Sequence, residues 1–219
     1  MALTNLLYTA HVPAGDGPFP TVLALHGWGA SAHDLLGLAP LIHGGEALVL
    51  CPQGETEVPI GGPMPGYGWF PLVPGSPPEP AAFLHAAESL RTFYAAAQEV
   101  FPIDAQRTAV LGFSQGGLMA YEFALRQPGA VSGLAALSSW FPQELADHLP
   151  AAPEHQDFPV LVVHGTSDPL VDIERARDSR ERLRHYGVSL TYREFGMGHE
   201  IRPDALKVIL EWLERRVFA

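Results

Sequence analysis

The segment Gly112–Gly117 (GFSQGG), which follows the apolar run 108–111, carries the clearest chemical signal in the chain. It fits the pattern Gly-x-Ser-x-Gly, in which a sharp strand-to-helix turn raises a serine hydroxyl above a sheet edge. Glycines are needed on both sides because the backbone at such a turn approaches too closely for a Cβ. Residues 118–125 have the composition of the helix that must follow. We therefore predict that Ser114 is a nucleophile.

A serine hydroxyl needs a base to take its proton as it attacks a carbonyl, and His199 is the candidate. It lies in Phe195–Glu200 (FGMGHE), after the last predicted strand, where glycines allow the loop to bend toward the serine. His26 and His164 stand at strand ends before glycines, which favours structural roles. The remaining histidines have no chemical context and are assigned to the surface or to packing: His11, His33, His43, His85, His148, His155 and His185.

A third group must orient the imidazole and stabilise the cation that it becomes, and Asp168 is the candidate. An isolated Asp-Pro pair is usually a turn. Here, however, Asp168 follows a buried strand and lies between Ser114 and His199 in the order Ser, Asp, His. Asp172 is the nearest competitor, but its position before a helical pattern is typical of a helix cap. We therefore predict that Asp168 is the acid.

Ester cleavage also needs hydrogen-bond donors for the oxyanion of the tetrahedral intermediate. One is expected to be the backbone N–H of Gln115, the residue after the serine. The other should come from the loop after the 21–26 strand, where Trp28 stands between two glycines. Taken alone, His26-Gly27 would simply end a strand. Together with the serine, the pattern predicts an oxyanion hole formed by Trp28 and Gln115.

Short apolar runs alternate with helical patterns along the chain. These elements must position the predicted catalytic residues. Continuous hydrophobic strands with helices between them favour a parallel sheet covered on both faces. We predict one α/β domain over 1–219. The strands are expected near 6–12, 21–26, 47–50, 108–111, 131–137, 160–163 and 189–195, and the helices near 31–41, 81–100, 118–125, 172–186 and 203–217.

Residues 52–80 contain nine prolines and six glycines, a density that excludes long regular structure. We expect this loop to lie over the active site. Only some twenty residues separate the strands near 131–137 and 160–163, too few for a cap domain. Aromatic and apolar residues in loops after the strands are the predicted walls of an open substrate site. These are Trp28, Trp69, Phe70, Trp140, Phe141, Leu170 and Met197.

Composition narrows the class of protein. The formal charge of −11 argues against nucleic acid and other polyanionic partners. Cys51 is the only cysteine, which excludes an intrachain disulfide. The sequence shows no signal-peptide pattern and no run long enough to span a bilayer, so we expect a cytoplasmic protein without membrane insertion. No metal-ligand spacing or nucleotide-binding motif occurs, and we expect no cofactor.

These segments resemble the phospholipase/carboxylesterase branch of the α/β-hydrolase superfamily, which includes acyl-protein thioesterases and lysophospholipases. The resemblance runs from about residue 20 to the C-terminus and rests on 26–29, 66–70, 112–117, 137–141, 164–168 and 198–199. It implies the triad Ser114, Asp168 and His199, and oxyanion donors at Trp28 and Gln115. The amino-terminal region is too short for the full first hairpin of the family, so we expect a mostly parallel sheet of about seven strands. Trp28 differs from the leucine-like residue that is common at its position.

The leading hypothesis is a serine carboxylic ester hydrolase that cleaves small to medium acyl esters through an acyl-enzyme. Lysophospholipase and acyl-thioester hydrolase remain alternatives because the same triad serves all three. A ligand-binding module without catalysis is less favoured, since Ser114, Asp168 and His199 are all present. An acyltransferase stays open because the acyl group can pass to a nucleophile other than water. Exposed aromatic loops could also form a homodimer interface.

Overall fold

The computed structural model describes residues 6–73, 78–149 and 152–219. Its strands are β1 (Tyr8–His11), β2 (Phe19–Leu25), β3 (Leu48–Pro52), β4 (Thr56–Val58), β5 (Gly66–Gly68), β6 (Ile103–Phe113), β7 (Gly133–Leu137), β8 (Pro159–Gly165) and β9 (Ser189–Phe195). Seven of them form one sheet in the order β1-β3-β2-β6-β7-β8-β9. Within it β1 is antiparallel to β3, and every other pair is parallel. The predicted seven-stranded, mostly parallel sheet is confirmed.

Successive side chains of each central strand enter two different cores, because side chains alternate across a sheet. In β2, Leu23 and Leu25 pack on one face, while Val22 and Ala24 pack on the other. All four are almost completely buried. This explains why the strands are continuous apolar runs.

The helices that cover the sheet are α1 (Pro80–Val100), α2 (Gln115–Arg126), α3 (Gln143–His148), α4 (Ile173–His185) and α5 (Pro203–Arg216). Buried residues of the first four helices contribute to the core on the Leu23 face or are packed against it. The core on the Val22 face is closed by α5 and by a 3₁₀ segment, Leu35–Gly45. The single α/β fold is thus built from two cores that share one sheet.

The predicted helix over 31–41 is wrong in type and position. The chain forms a 3₁₀ segment that begins at Leu35, and Asp34 makes no side-chain capping bond. Pro40 lies inside the segment, where it lacks the N–H that an α-helix needs. The backbone leaves helical geometry at Ile42 and His43. Strand β6 also begins earlier than the predicted strand near 108–111, at Ile103.

The proline-rich segment 52–80 contains the short antiparallel pair β4 and β5. Tyr67 of β5 is bridged to Ala30, in the loop that follows β2. The segment therefore packs against the predicted oxyanion loop; its part at 74–77 lies outside the described residues. Between β7 and β8 the described residues form only α3 and one 3₁₀ turn, Pro153–His155, and no cap domain.

Candidate active site

Ser114 occupies a sharp turn between β6 and α2. Its φ is +52° and its ψ is −117°, a conformation that a residue with a Cβ adopts only where its surroundings impose it. Its N–H donates to the carbonyl of Leu137, 2.9 Å away on the adjacent strand. A Cβ at Gly116 would overlap the carbonyls of Leu25 and His26. Glycine is therefore required there, and the turn presents Ser114 at the carboxyl edge of the sheet.

Asp168 and His199 are brought together across 31 residues of sequence. Nδ1 of His199 lies 2.7 Å from Oδ2 of Asp168, whose side chain has no exposed surface. The other oxygen, Oδ1, accepts from the N–H groups of Leu170 and Val171, each 2.9 Å away. A carboxylate only accepts hydrogen bonds, so this contact places the proton of a neutral His199 on Nδ1.

The surroundings of Asp168 favour its ionised form. Burial alone would raise the pKa of this carboxyl. The bonds from the Val171 N–H, from His199 and from the Leu170 N–H outweigh that cost and hold the pKa below its usual range. The buried His164 lies below, with Nε2 3.6 Å from Oδ2 of Asp168 and 2.8 Å from the Val171 carbonyl. It donates to that carbonyl and so supports the turn that carries the acid.

The two atoms expected to react form no hydrogen bond within the described residues. Within the described part of the chain, neither Oγ of Ser114 nor Nε2 of His199 has a hydrogen-bond partner. The imidazole of His199 packs against the ring of Phe113, with centroids 4.9 Å apart. Phe113 directly precedes the serine, so this contact places the imidazole beside the turn. Hydrogen bonds between catalytic groups are often formed only when substrate is bound.

His26 fixes the loop that carries Trp28. Its Nε2 accepts from the N–H of Gly54 at 3.0 Å, and its Nδ1 therefore donates to the Gly27 carbonyl at 2.8 Å. Burial lowers the pKa of this imidazole, against smaller opposing effects of the Gly27 bond and of Asp34. The neutral form that these bonds require is thus favoured. His26 thus connects the loop after β2 to the proline-rich segment, two residues before Trp28.

The side chain of Gln115 ties the serine turn to the proline-rich segment. Its Oε1 accepts from the Trp69 N–H at 2.8 Å, and its Nε2 donates to the Phe70 carbonyl at 2.7 Å. All three residues are buried. Sequence reasoning considered only the backbone N–H of Gln115. An amide side chain at a glycine-rich turn was the one available signal of this second role.

The predicted pocket walls separate into two groups. Trp28, Trp140 and Leu170 retain exposed surface, and Leu170 is 72% exposed. The other four are buried and offer little or no surface to a substrate: Trp69, Phe70, Phe141 and Met197.

The expectation that these four residues line the pocket is corrected by their packing. Phe141 stacks on Tyr121 with ring centroids 5.0 Å apart, and Phe70 packs edge-on against Phe83. The indole of Trp69 donates to the His26 carbonyl, and Met197 belongs to the core on the Val22 face. Burying these large apolar side chains in the core is energetically favourable, and once buried they cannot line a pocket.

In the described residues, no group of three or more His, Cys, Asp or Glu side chains could hold a metal ion. None of the helices described is long and apolar enough to cross a membrane. The contacts described above bring Asp168 and His199 together and place the His199 ring against Phe113, which precedes Ser114.

Comparison with known proteins identifies the family to which the chain belongs. Residues 9–216 match the family described as Phospholipase/Carboxylesterase. The chain is 31% identical over 115 residues to acyl-protein thioesterase 1 of Gibberella zeae, covering 51% of this chain and 49% of that protein. It is 29% identical over 158 residues to carboxylesterase SOBER1 of Arabidopsis thaliana, covering 68% of each. The curated relatives are thus matched over about half to two thirds of their length.

Solved structures show the same fold over nearly the whole chain. A carboxylesterase of Bacillus cereus superposes with a TM-score of 0.82 at 21% identity, covering 97% of this chain and 95% of that one. A carboxylesterase of Mesorhizobium loti gives 0.83 at 20% identity, covering 98% and 97%. At these identities the likeness establishes the fold.

Proposed function

The chain belongs to the phospholipase/carboxylesterase family, and we propose that it is a serine carboxylic ester hydrolase that acts through an acyl-enzyme on Ser114. The observation that carries the proposal is the 2.7 Å contact between His199 and the buried Asp168. This contact leaves Nε2 of a neutral His199 unprotonated and available as a base. The adjacent strained serine turn provides the matching nucleophile.

In the first half of the reaction, Nε2 of His199 takes the proton of Ser114 as Oγ attacks the ester carbonyl carbon. The N–H groups of Trp28 and Gln115 donate to the oxyanion that forms. His199 then gives the proton to the alkoxy oxygen as the C–O bond breaks, and the alcohol leaves. Asp168 stabilises the imidazolium between these steps.

In the second half, the same imidazole takes a proton from water, which attacks the acyl-enzyme. The tetrahedral intermediate collapses, the proton returns to Oγ of Ser114, and the carboxylic acid is released. The reaction consumes one ester and one water and yields one alcohol and one acid.

Small to medium acyl groups are the proposed substrates. The Trp28 ring packs against Gly68, where a Cβ would overlap it, so a bulky side chain stands at the oxyanion loop. Two cavities of about 410 and 180 Å³ are lined by residues of 140–147 and 175–186, and neither is lined by Ser114 or His199. Neither of these two cavities therefore provides a tunnel for a long acyl chain that leads from Ser114.

Thioesters are the second candidate substrates, since one relative is named an acyl-protein thioesterase. A thiolate leaves with less need of protonation than an alkoxide does. The groups at Ser114 and His199 serve both reactions, so comparison of matched oxygen and thiol esters must decide.

The test is kcat/KM on p-nitrophenyl esters from acetyl to palmitoyl, with Ser114→Ala as the blank. Ser167→Ala is the matched control because Ser167 is exposed and its hydroxyl forms no hydrogen bond within the described chain. We expect a maximum at short to medium chains and loss of turnover in Ser114→Ala only. Retained turnover in that variant would refute the nucleophile, and a palmitoyl optimum would refute the substrate class.

A further inference from the structure

The guanidinium of Arg175 lies over the ring of Trp140. Its Cζ is 4.1 Å from the ring centroid, within the range of a cation–π contact. Arg175 belongs to the first turn of α4, and Trp140 follows β7. The stacked pair therefore joins two elements at the carboxyl edge of the sheet.

The hydrogen-bond donors of Arg175 are unused. In the part of the chain that the structure describes, its guanidinium forms no hydrogen bond and no ion pair. Arg215, exposed in the last turn of α5, is the other arginine there of which this is true. Burial lowers the pKa of Arg175, partly offset by the charge of Glu144. Arg175 is exposed as a whole residue, so a ligand can reach the free donors of its guanidinium, which can bind an oxyanion.

Hydrogen bonds hold this pair in place. Oγ of Ser179 accepts from the Phe141 N–H at 2.7 Å and donates to the Arg175 carbonyl at 2.6 Å. Arg182 donates to the Phe141 carbonyl at 2.8 Å. The backbone of Phe141, the residue after Trp140, is thus attached to α4 at Ser179 and at Arg182. Such preorganisation lowers the entropic cost of binding.

Trp140 follows β7, the strand that pairs with β6, and β6 ends directly before Ser114. The Ser114 N–H donates to Leu137 of β7, and the Ser138 N–H donates to Val163 of β8. These strands are adjacent and lie about 5 Å apart. Trp140 follows two residues after Ser138, and Arg175 lies in the first turn of α4, the helix that follows Asp168. An extended substrate with its carbonyl at Ser114 can therefore run across β7 toward the guanidinium.

A cavity of about 180 Å³ is bounded by Trp140 and Arg175. Glu144, Asp178 and Arg182 also line it. The acids do not neutralise Arg175: Asp178 lies 3.8 Å from Arg182, and Glu144 is beyond ion-pair distance in the described structure. The protein as a whole carries a charge of −11, so it repels anions at long range. Recognition of an anion here requires a local cation.

We propose that Arg175, stacked on Trp140, binds a carboxylate or phosphate group carried by the ester substrate. This inference rests on the proposed function and deepens it, since it assigns anionic esters as a substrate class. The planar guanidinium donates two parallel N–H bonds to two oxygens of the anion. The ring of Trp140 keeps the guanidinium plane of Arg175 in position while the ester carbonyl lies at Ser114.

The experiment compares monomethyl esters of dicarboxylic acids, from succinate to suberate, with methyl esters of monocarboxylic acids of equal length. Methanol release gives kcat/KM for each pair in the wild type, in Arg175→Gln and in the control Arg215→Gln. We expect the charged-to-neutral ratio to fall about tenfold or more in Arg175→Gln at the favoured length. Arg215→Gln should leave the ratio unchanged. Equal ratios in all three proteins would overturn the proposal.

The two sources of the anion are separated with phosphate esters. The ratio of kcat/KM for 1-acetylglycerol 3-phosphate to that for 1-acetylglycerol is measured in the same variants. A loss confined to the diacid esters assigns a carboxylate on the acyl side of the ester, and a loss confined to the phosphate ester assigns a phosphate on the alcohol side. Neutral esters test the proposed function separately, because absence of Ser114-dependent hydrolysis of methyl esters would refute the hydrolase itself.

Binding without turnover provides a second measurement. Glutarate and inorganic phosphate are titrated calorimetrically into the wild type, Arg175→Gln and Arg175→Lys. We expect the wild type to bind at least one anion and Arg175→Gln to lose this binding. Arg175→Lys should recover part of the affinity, because lysine keeps the charge but not the planar guanidinium. Equal affinity in the wild type and Arg175→Gln would contradict the assignment. Thermal unfolding of each variant establishes that it is folded.

Discussion

Nδ1 of His199 contacts Oδ2 of Asp168 at 2.7 Å, while the other carboxylate oxygen is held by two backbone N–H groups. The acid is thereby fixed at both oxygens, and one of them is left for the imidazole. This arrangement sets the tautomer of His199, and with it which nitrogen can act as a base.

Replacement of Asp168 by asparagine should lower kcat by about 10³–10⁴-fold, because an amide at this position favours the wrong imidazole tautomer. Asp172→Asn is the matched control. Asp172 caps α4 by accepting from the Glu174 N–H at 2.8 Å, so its loss should lower stability by at most about 1 kcal/mol and leave kcat nearly unchanged. Steady-state kinetics and thermal unfolding decide. A larger kcat loss in Asp172→Asn would show that the acid is misassigned.

The same aspartate should make stability dependent on pH. Its pKa in the folded protein is lowered, so folding is favoured by the ionised form at pH above the unfolded value of about 3.9. That contribution is lost as the pH falls through the folded pKa. We expect Asp168→Asn to lower Tm at pH 7, and the difference from wild type to shrink below about pH 4. Asp16→Asn, at an exposed position, is the control; a difference independent of pH would contradict the argument.

Gln115→Glu tests the role of the Gln115 side chain separately from the predicted role of its backbone N–H. Glutamate can still accept from the Trp69 N–H, but its carboxylate cannot donate to the Phe70 carbonyl, which would be left unpaired. We expect a loss of about 1–3 kcal/mol in the free energy of unfolding, together with a lower kcat. Urea denaturation and kinetics test this against Gln98→Glu, an exposed change of the same charge. Equal effects of the two changes would exclude a positioning role.

Gly68→Ala should disturb the predicted oxyanion loop, which carries Trp28, although Gly68 lies outside that loop in β5. An added Cβ would overlap the Trp28 ring and lie 3.0 Å from Oε1 of Gln115. If Trp28 moves, its N–H leaves the oxyanion position, and kcat should fall by up to about 10²–10³-fold. Gly62→Ala is the control because an added Cβ there meets nothing within 4 Å. Wild-type kcat in Gly68→Ala would show that the loop does not depend on this contact.

Most of the fold followed from local patterns. Strand β9 begins and ends where the sequence predicts, at Ser189 and Phe195, and the central sheet follows from runs such as Val22–Leu25 that are buried on both faces. The apolar pattern at 31–41 predicts an α-helix. Pro40 lacks the N–H that an α-helical hydrogen bond needs, and the chain forms a 3₁₀ segment at Leu35–Gly45 instead. Periodicity reports which residues are buried, but hydrogen bonding decides the type of helix.

Ser114, Asp168 and His199 can be identified from residue type and chain order, because each follows a strand and parallel strands end at one edge of the sheet. Tertiary structure alone decided which aromatic residues stay accessible: Phe141 is buried against Tyr121, whereas Trp140, one residue earlier, lies under Arg175. It also joined Gln115 to Trp69 across 46 residues. Such contacts depend on where distant elements pack, and local propensity carries no information about that.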